Sequence, residues 1–265
     1  MIRKSTLLLT ASAVLLIQVG AQANGIAPDQ EFYSANKASN PIVLDGDLSE
    51  WTGVSVIENP QFVPNEATEL ASFEPFQDGT WTGPEDQSSN VLVTWDDDNV
   101  YLGLVVTDEY HENAANSGWN GDSAQVHIAN SARDAQVALY NYALGGTEGS
   151  TGDVVIHHEA GPGGTDASIT RSGTTTTYEI KFPKDSIGLT DLSSGVQFGI
   201  GMAINDGDEL TPGQKGWGGL GPHAVVFGKT PSETALVTLV PEPSSLGLSL
   251  MAMMGVMLLR RNRKK

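Results

Sequence analysis

Between residues 24 and 240, apolar side chains recur at every second position in short runs, and no long stretch repeats them at helical spacing. Thr177-Tyr178-Glu179-Ile180-Lys181-Phe182 is the clearest case. Extended, it turns Tyr178, Ile180 and Phe182 to one face and Glu179 and Lys181 to the other, and Pro183 ends the strand. Twelve β-rich runs stand between breaks of Gly, Asp, Asn, Pro and Ser, at residues 41–44, 54–57, 90–95, 100–107, 123–129, 136–142, 154–158, 167–170, 175–182, 196–204, 224–227 and 235–240. Such strands must each bury one face. The predicted fold is therefore all-β, an antiparallel two-sheet β-sandwich of jelly-roll-like kind, and the length is sufficient for one real core. Residues 59–89, rich in Pro, Glu and Gln, read as a long insertion loop, with shorter loops at 145–152 and 161–164.

The two ends have a different composition. Met1 to Ala23 holds Arg3 and Lys4, an apolar run from Leu7 to Val19, and the small-x-small site Ala21-Gln22-Ala23. Residues 1–23 thus read as a secretory signal peptide, a signal helix too short and too closely followed by polar residues for a first membrane span. The chain has no cysteine, which excludes disulfides, thiolate zinc sites and cysteine nucleophiles in a protein bound for an oxidising space. Residues 241–265 begin Pro241-Glu242-Pro243, continue through an apolar segment from Leu246 to Leu259, and end in Arg260, Arg261, Arg263, Lys264 and Lys265. That segment reads as a short transmembrane helix whose basic cluster stays in the cytoplasm, leaving the rest of the chain outside. The three parts in this order resemble the PEP-CTERM sorting signal of Gram-negative bacteria. The resemblance implies an exosortase-type sorting protease that cuts near Pro-Glu-Pro and a mature protein released or attached at the cell surface. Without it, the same residues read as an ordinary C-terminal anchor behind a proline-containing linker.

The formal net charge is −18, from 14 basic and 32 acidic residues, and the two ends account for seven of the basic and one of the acidic. Residues 24–240 therefore carry seven basic and 31 acidic residues, a net charge of −24. Such a body repels nucleic-acid phosphates and anionic headgroups. Nucleic acid is excluded as a partner, and membrane contact is confined to the C-terminal segment before processing.

Three local patterns point further. Pro41-Ile42-Val43-Leu44-Asp45-Gly46-Asp47-Leu48-Ser49-Glu50-Trp51 is an apolar strand, an Asp-Gly turn and a tryptophan. Val93-Thr94-Trp95-Asp96-Asp97-Asp98-Asn99-Val100-Tyr101-Leu102 is a hairpin with an acidic turn, and Gly118-Trp119-Asn120-Gly121-Asp122-Ser123-Ala124-Gln125-Val126-His127-Ile128 is a tryptophan loop feeding a strand. With Tyr178 to Pro183 and the late Ala203-Ile204-Asn205-Asp206, this order resembles the family 9 carbohydrate-binding modules and their DOMON-like relatives from about residue 42 to 239. Residues 24–240 are thus expected to form one such domain, whose function has to be argued from its site.

Sugars are bound by flat aromatic faces, with amide and carboxylate groups taking the hydroxyls. Of five tryptophans, Trp51 and Trp95 follow or end apolar strands and are expected in the core. Trp119 and Trp217 stand in the Gly-rich segments 117–121 and 215–219, where a large ring has little local packing. The resemblance implies that two such loop tryptophans sandwich a sugar ring; the alternative is a ring folded back over the sheet edge. Trp81 would extend the groove. The resemblance puts the family's carboxylate at Gln125, its arginine near Ala138 and its glutamine near Ala203, leaving Gln125, Asn141 and Asn205, with Asp206 beside it, as polar contacts. A polysaccharide or oligosaccharide is the implied partner, although the replaced arginine and glutamine do not carry the family's ligand over.

Three acidic turns, with Asp45 and Asp47, Asp96 and Asp98, and Asp206 and Asp208, offer the carboxylate oxygens that structural calcium takes, and the resemblance implies such an ion; solvated hairpin turns are the alternative. No zinc is expected, since the histidines show no ligand spacing. No haem is expected either, since Met202 is the one methionine of the body. No G-x-S-x-G, Walker or H-E-x-x-H motif occurs, and no carboxylate pair stands out for glycoside hydrolysis, so the chain reads as non-catalytic. Three functions remain: an exported carbohydrate-binding protein acting on extracellular or cell-surface polysaccharide, a structural acidic matrix protein, or an accessory module in carbohydrate catabolism with glycoside hydrolase partners.

Overall fold

The structure, a computed structural model, describes residues 25–208 and 211–242. The signal-peptide segment, Pro243 and the apolar segment from Leu246 lie outside the described residues. Among the described residues no helix is long and apolar enough to cross a membrane.

Among the described residues fourteen strands form two sheets. The smaller sheet runs β10 (Asp166–Ser172), β11 (Thr175–Pro183), β5 (Asn99–Asp108), β4 (Gln87–Trp95), β2 (Val56–Glu58). The larger runs β1 (Phe32–Asn36), β14 (Ala235–Val240), β12 (Gln197–Asp208), β7 (Ser123–Ala129), β8 (Gln136–Thr147), with β6 (Glu112–Asn113) and β9 (Ser150–Ala160) on β8, and β13 (Thr211–Gly218) joining β12 to β3 (Glu74–Pro75). All pairs are antiparallel except β1 with β14, which is parallel, a correction to the purely antiparallel expectation. The sandwich core lies between the sheets. Val93, Leu102, Leu104 and Ile180 of one sheet meet Val126, Tyr140, Ile200 and Met202 of the other, all buried.

Two expected strands are absent. Residues 41–44 are irregular, and Ile42 packs instead with Leu48 and Val54 around Trp51, Leu92 and Tyr101 on the outer face of the smaller sheet. The run 224–227 follows the 3-10 turn Pro222–Ala224, because Pro222 supplies no N–H for a ladder.

Tyr178, Ile180 and Phe182 enter the core as the alternation predicts, but Glu179 on the opposite face is buried rather than solvated. Its Oε1 accepts the Trp51 indole N–H at 2.9 Å, and its Oε2 accepts the backbone N–H groups of Asp45 at 2.9 Å and Gly46 at 2.7 Å. Burial raises its proton affinity, and the three donors lower it. One carboxylate thus fastens the N-terminal segment across the sheet. Gly103 makes room beneath, since a Cβ there would stand 3.2 Å from the Trp51 ring. Glu179→Gln, which keeps the size and turns an amide toward backbone donors, is expected to cost about 1–3 kcal/mol in urea unfolding; an unchanged midpoint would contradict the fastening role.

Candidate functional site

Because strand side chains alternate, the residues between the core positions of the larger sheet face outward. Register sets Trp217 opposite Asn205, Gln125 opposite both Ala203 and Asn141, and Asn141 opposite His157. An amide ladder results across five strands. The Gln214 amide donates to Asn205 Oδ1, Asn205 Nδ2 donates to Gln125 Oε1 at 3.3 Å, Gln125 Nε2 donates to Asn141 Oδ1 at 3.4 Å, and Asn141 Nδ2 donates to Glu159 at 3.3 Å. Most of these bonds are long, so the ladder holds donors and acceptors that a better partner can claim.

Over the ladder lies a cleft of about 360 Å³. Phe76, Trp119, Trp217 and Phe227 supply its aromatic wall, and Gln125, Gln214, Glu159 and Lys229 its polar lining. The structure brings Trp119, Trp217 and Gln125 to the cleft wall. Asn141 and Asn205 are buried and reach it through the ladder.

The two tryptophans differ sharply. Trp119 is 51% exposed, on a loop fastened at its base by Asn113, whose Oδ1 accepts Ser117 N–H and whose Nδ2 donates to Ser117 O, both at 2.8 Å. Gly118 lets that loop lie on Asn141, where a Cβ would meet the side chain at 2.7 Å. Trp217 is not in a loop. It sits on β13 between β12 and β3, 2% exposed, donating to Glu74 Oε2 at 3.3 Å and packed against Phe76 with ring centres 5.1 Å apart. The glycines around it serve close packing rather than a turn. A Cβ on Gly216 would stand 2.2 Å from the Phe73 ring. Trp81 extends no groove; it stacks on Phe73 and donates its indole N–H to Gln87 O at 2.9 Å.

Phe227 was not singled out by the sequence. It is 59% exposed at the cleft and stands edge-on to Trp217 at 5.4 Å, in a left-handed conformation (φ 56°) shared with Lys229 (φ 60°). Non-glycine residues held there mark strained backbone of the kind found at ligand clamps. An apolar residue beside the Gly228-Lys229 break was the available signal.

The three acidic turns do not converge. Asp45 Oδ1 accepts Asp47 N–H and Asp47 Oδ1 accepts Ser49 N–H; Asp96 caps its own turn, and Asp98 pairs with Lys184 at 3.3 Å. Asp208 is half-buried, with its carboxyl pushed up by burial and by Asp86.

Asp206 instead belongs to an acidic cluster at the inner end of the sandwich, with Asp108 at the end of β5 and Asp122 just before β7, all buried. The Asp122 carboxylate accepts the N–H groups of Glu112 and Gly207, each at 2.7 Å. Asp108 accepts Tyr110 N–H at 2.8 Å and lies 3.5 Å from Arg171. Burial first, then repulsion from Asp122, pushes Asp108 up to about 9; the same causes push Asp206 to about 10, and burial raises Asp122 to about 7.

The sequence model of the family described as carbohydrate family 9 binding domain-like matches residues 64–220, and a PEP-CTERM protein-sorting motif matches residues 239–264. The chain belongs to the carbohydrate family 9 binding domain-like family and carries that C-terminal motif. Solved structures that share its fold include two of a family 9 carbohydrate-binding module from Caldicellulosiruptor kristjanssonii. One, in complex with cellotriose, is 13% identical, covering 81% of this chain and 95% of that one at a TM-score of 0.57. The other, in complex with glucose, is 14% identical, covering 80% and 97% at a TM-score of 0.57. No curated protein matches the chain.

Since Trp217 is a wall stone and Trp119 a free face, their removal should act differently. Trp217→Ala is expected to cost about 3–5 kcal/mol of stability and Trp119→Ala about 1 kcal/mol or less, read by urea unfolding. Equal losses would contradict the burial described.

Proposed function

We propose that this chain is an exported, non-catalytic carbohydrate-binding protein whose cleft takes a terminal or short saccharide segment of an extracellular or cell-surface polysaccharide. The carrying observation is the pairing, on one sheet face, of half-exposed aromatic rings with a ladder of loosely bonded amides, in a chain of this family. Trp119 and Phe227 stack on the sugar, Trp217 forms the floor, Gln125 and Glu159 exchange their long contacts for hydroxyls, and Gln214 lines the cleft beside them, with Asn141 and Asn205 holding the ladder. A volume of about 360 Å³ stands near the small end of ligand sites, which run to about 1,000 Å³, and suits one or a few rings. The similar structures hold cellotriose and glucose, which favours a β-glucan or glucose-terminated probe as the first to try. Among the described residues Glu159 is the one carboxylate in the cleft lining, whereas glycosidases use two, in keeping with binding without hydrolysis.

In this reading residues 1–23 are a signal peptide, 24–240 the binding domain and 241–265 the sorting segment. Export leaves the domain outside, and an exosortase-type protease acts near Pro241, Glu242 and Pro243 to release it or attach it to the surface. Partnership with glycoside hydrolases in carbohydrate catabolism would follow from the bound polysaccharide.

A glycan array followed by calorimetry with glucose, cellotriose and soluble polysaccharides tests the proposal. Wild type is expected to bind at least one, and Trp119→Ala and Phe227→Ala to weaken it at least about tenfold, about 1.4 kcal/mol, with the melting temperature lowered by no more than about 4 °C. Absence of any binding, with or without calcium, would replace it by the structural matrix reading, which the net charge of −24 over residues 24–240 (seven basic against 31 acidic) also suits.

A further inference from the structure

We propose that two copies of this chain join edge to edge through β9, antiparallel about a two-fold axis at Val155, so that both clefts open on one face of a continuous sheet. Among the described residues β9 pairs with β8 alone, and its other edge offers backbone N–H and C=O groups to a further strand. The edge strands β1, β2 and β3 are five residues or shorter, whereas β9 has 11 and holds no Lys, Arg or Pro of the kind that guards an edge. At its centre stand Val154, Val155 and Ile156, β-branched residues that suit a paired strand. Val154 and Ile156 oppose Leu144 and Tyr142 on the core face yet are 37% and 36% exposed, so that face continues past what covers it.

The strand's own sequence selects a second copy as the occupant. An axis normal to the sheet keeps both outer faces on one side, so residues of equal parity meet and the axis passes through a residue. Through Val155, Val154 meets Ile156 and Asp153 of one copy meets His157 of the other, twice over. Through Ile156, Asp153 would meet Glu159, and through Val154 it would meet Val155. His157 is prepared for the first register. Its Nδ1 accepts the Asn141 amide N–H at 3.4 Å, which leaves the Nε2–H to donate to the carboxylate of the other copy. Residues 24–240 carry a net charge of −24 (seven basic against 31 acidic), but salt of about 0.15 M screens repulsion beyond about 8 Å, and this register sets no carboxylate of β9 against another.

The amide ladder ends on β9 at His157 and Glu159, so joining β9 to β9 brings two ladders and two clefts side by side. That the pair grips one polysaccharide at two points rests on the saccharide reading; the dimer itself does not.

Sedimentation of the full chain without sugar, in a neutral detergent that keeps its apolar ends apart, reads the dimer. Val155 is half-buried on the outer face, and Val155→Lys or Val155→Glu sets like charges against each other on the axis. Each is expected to weaken dimerisation at least about tenfold while melting within about 4 °C of wild type, and their equimolar mixture should dimerise again. The chain has no cysteine of its own. Opposed strand residues have Cα atoms about 4.5 to 5.5 Å apart, within disulfide reach, so Val155→Cys oxidised by air with a copper catalyst should give a covalent dimer. Asp153→Cys mixed with His157→Cys should cross-link as well, and Ser172→Cys, exposed on β10, should not. With both clefts engaged, wild type should hold an insoluble β-glucan at least about tenfold more tightly than Val155→Lys, at equal affinity for cellotriose. Association unmoved by Val155→Lys, a mixture of the Lys and Glu variants that stays monomeric, or cross-linking at Ser172→Cys in place of Val155→Cys would each overturn the proposal.

Discussion

The period of two along the strands of the larger sheet decides both the core and the cleft. Ile200, Met202 and Ile204 of β12, Ala124, Val126 and Ile128 of β7, and Ala138, Tyr140 and Tyr142 of β8 fill the space between the sheets. Their odd-numbered neighbours Ala203, Asn205, Gln125 and Asn141 are thereby committed to the outer face, in register with one another. A one-residue slip of β7 would bury Gln125 in the core and expel Val126. Packing therefore holds the amide ladder in place, and the free energy that sets the register is hydrophobic although the surface it presents is polar.

Electrostatics acts within that frame. All seven cations of the body have a carboxylate within 4.0 Å: Lys37, Arg133, Arg171, Lys181, Lys184, Lys215 and Lys229 each pair with Asp or Glu. Most of these pairs are partly exposed and stabilise little. The informative charges are the buried ones, which need another kind of partner. Glu179 finds it in the Trp51 indole and two backbone N–H groups. Asp122 finds part of it in two backbone N–H groups and has further capacity beyond them.

Much of this was legible in the sequence. The runs at 123–129 and 235–240 coincide with β7 and β14, and the burial of Trp51 and Trp95 follows from their places beside apolar strands. What failed did so for definable reasons. β13 carries three glycines that read as a loop, but Gly216 and Gly218 are there because Phe73 and Gln87 occupy the space of a side chain, so Trp217 is buried. β1 is short and pairs in parallel with the far end of the chain, a partner invisible to local pattern. Residues 224–227 are apolar because Val225, Val226 and Phe227 line the cleft, which alternation alone cannot tell from a strand. The acidic turns drew attention by carboxylate density, whereas the carboxylates that converge, Asp108, Asp122 and Asp206, stand far apart in sequence at ordinary strand ends.

On the proposed reading, a saccharide sits on the outward face of β7, β8 and β12, walled by Trp119 and Phe227. Nuclear magnetic resonance of the five indole N–H groups during titration with cellotriose reads this directly. The Trp119 resonance is expected to move most, with saturation, while Trp51 and Trp95, buried away from the cleft, stay in place. Movement of Trp51 or Trp95 with Trp119 unmoved would contradict it.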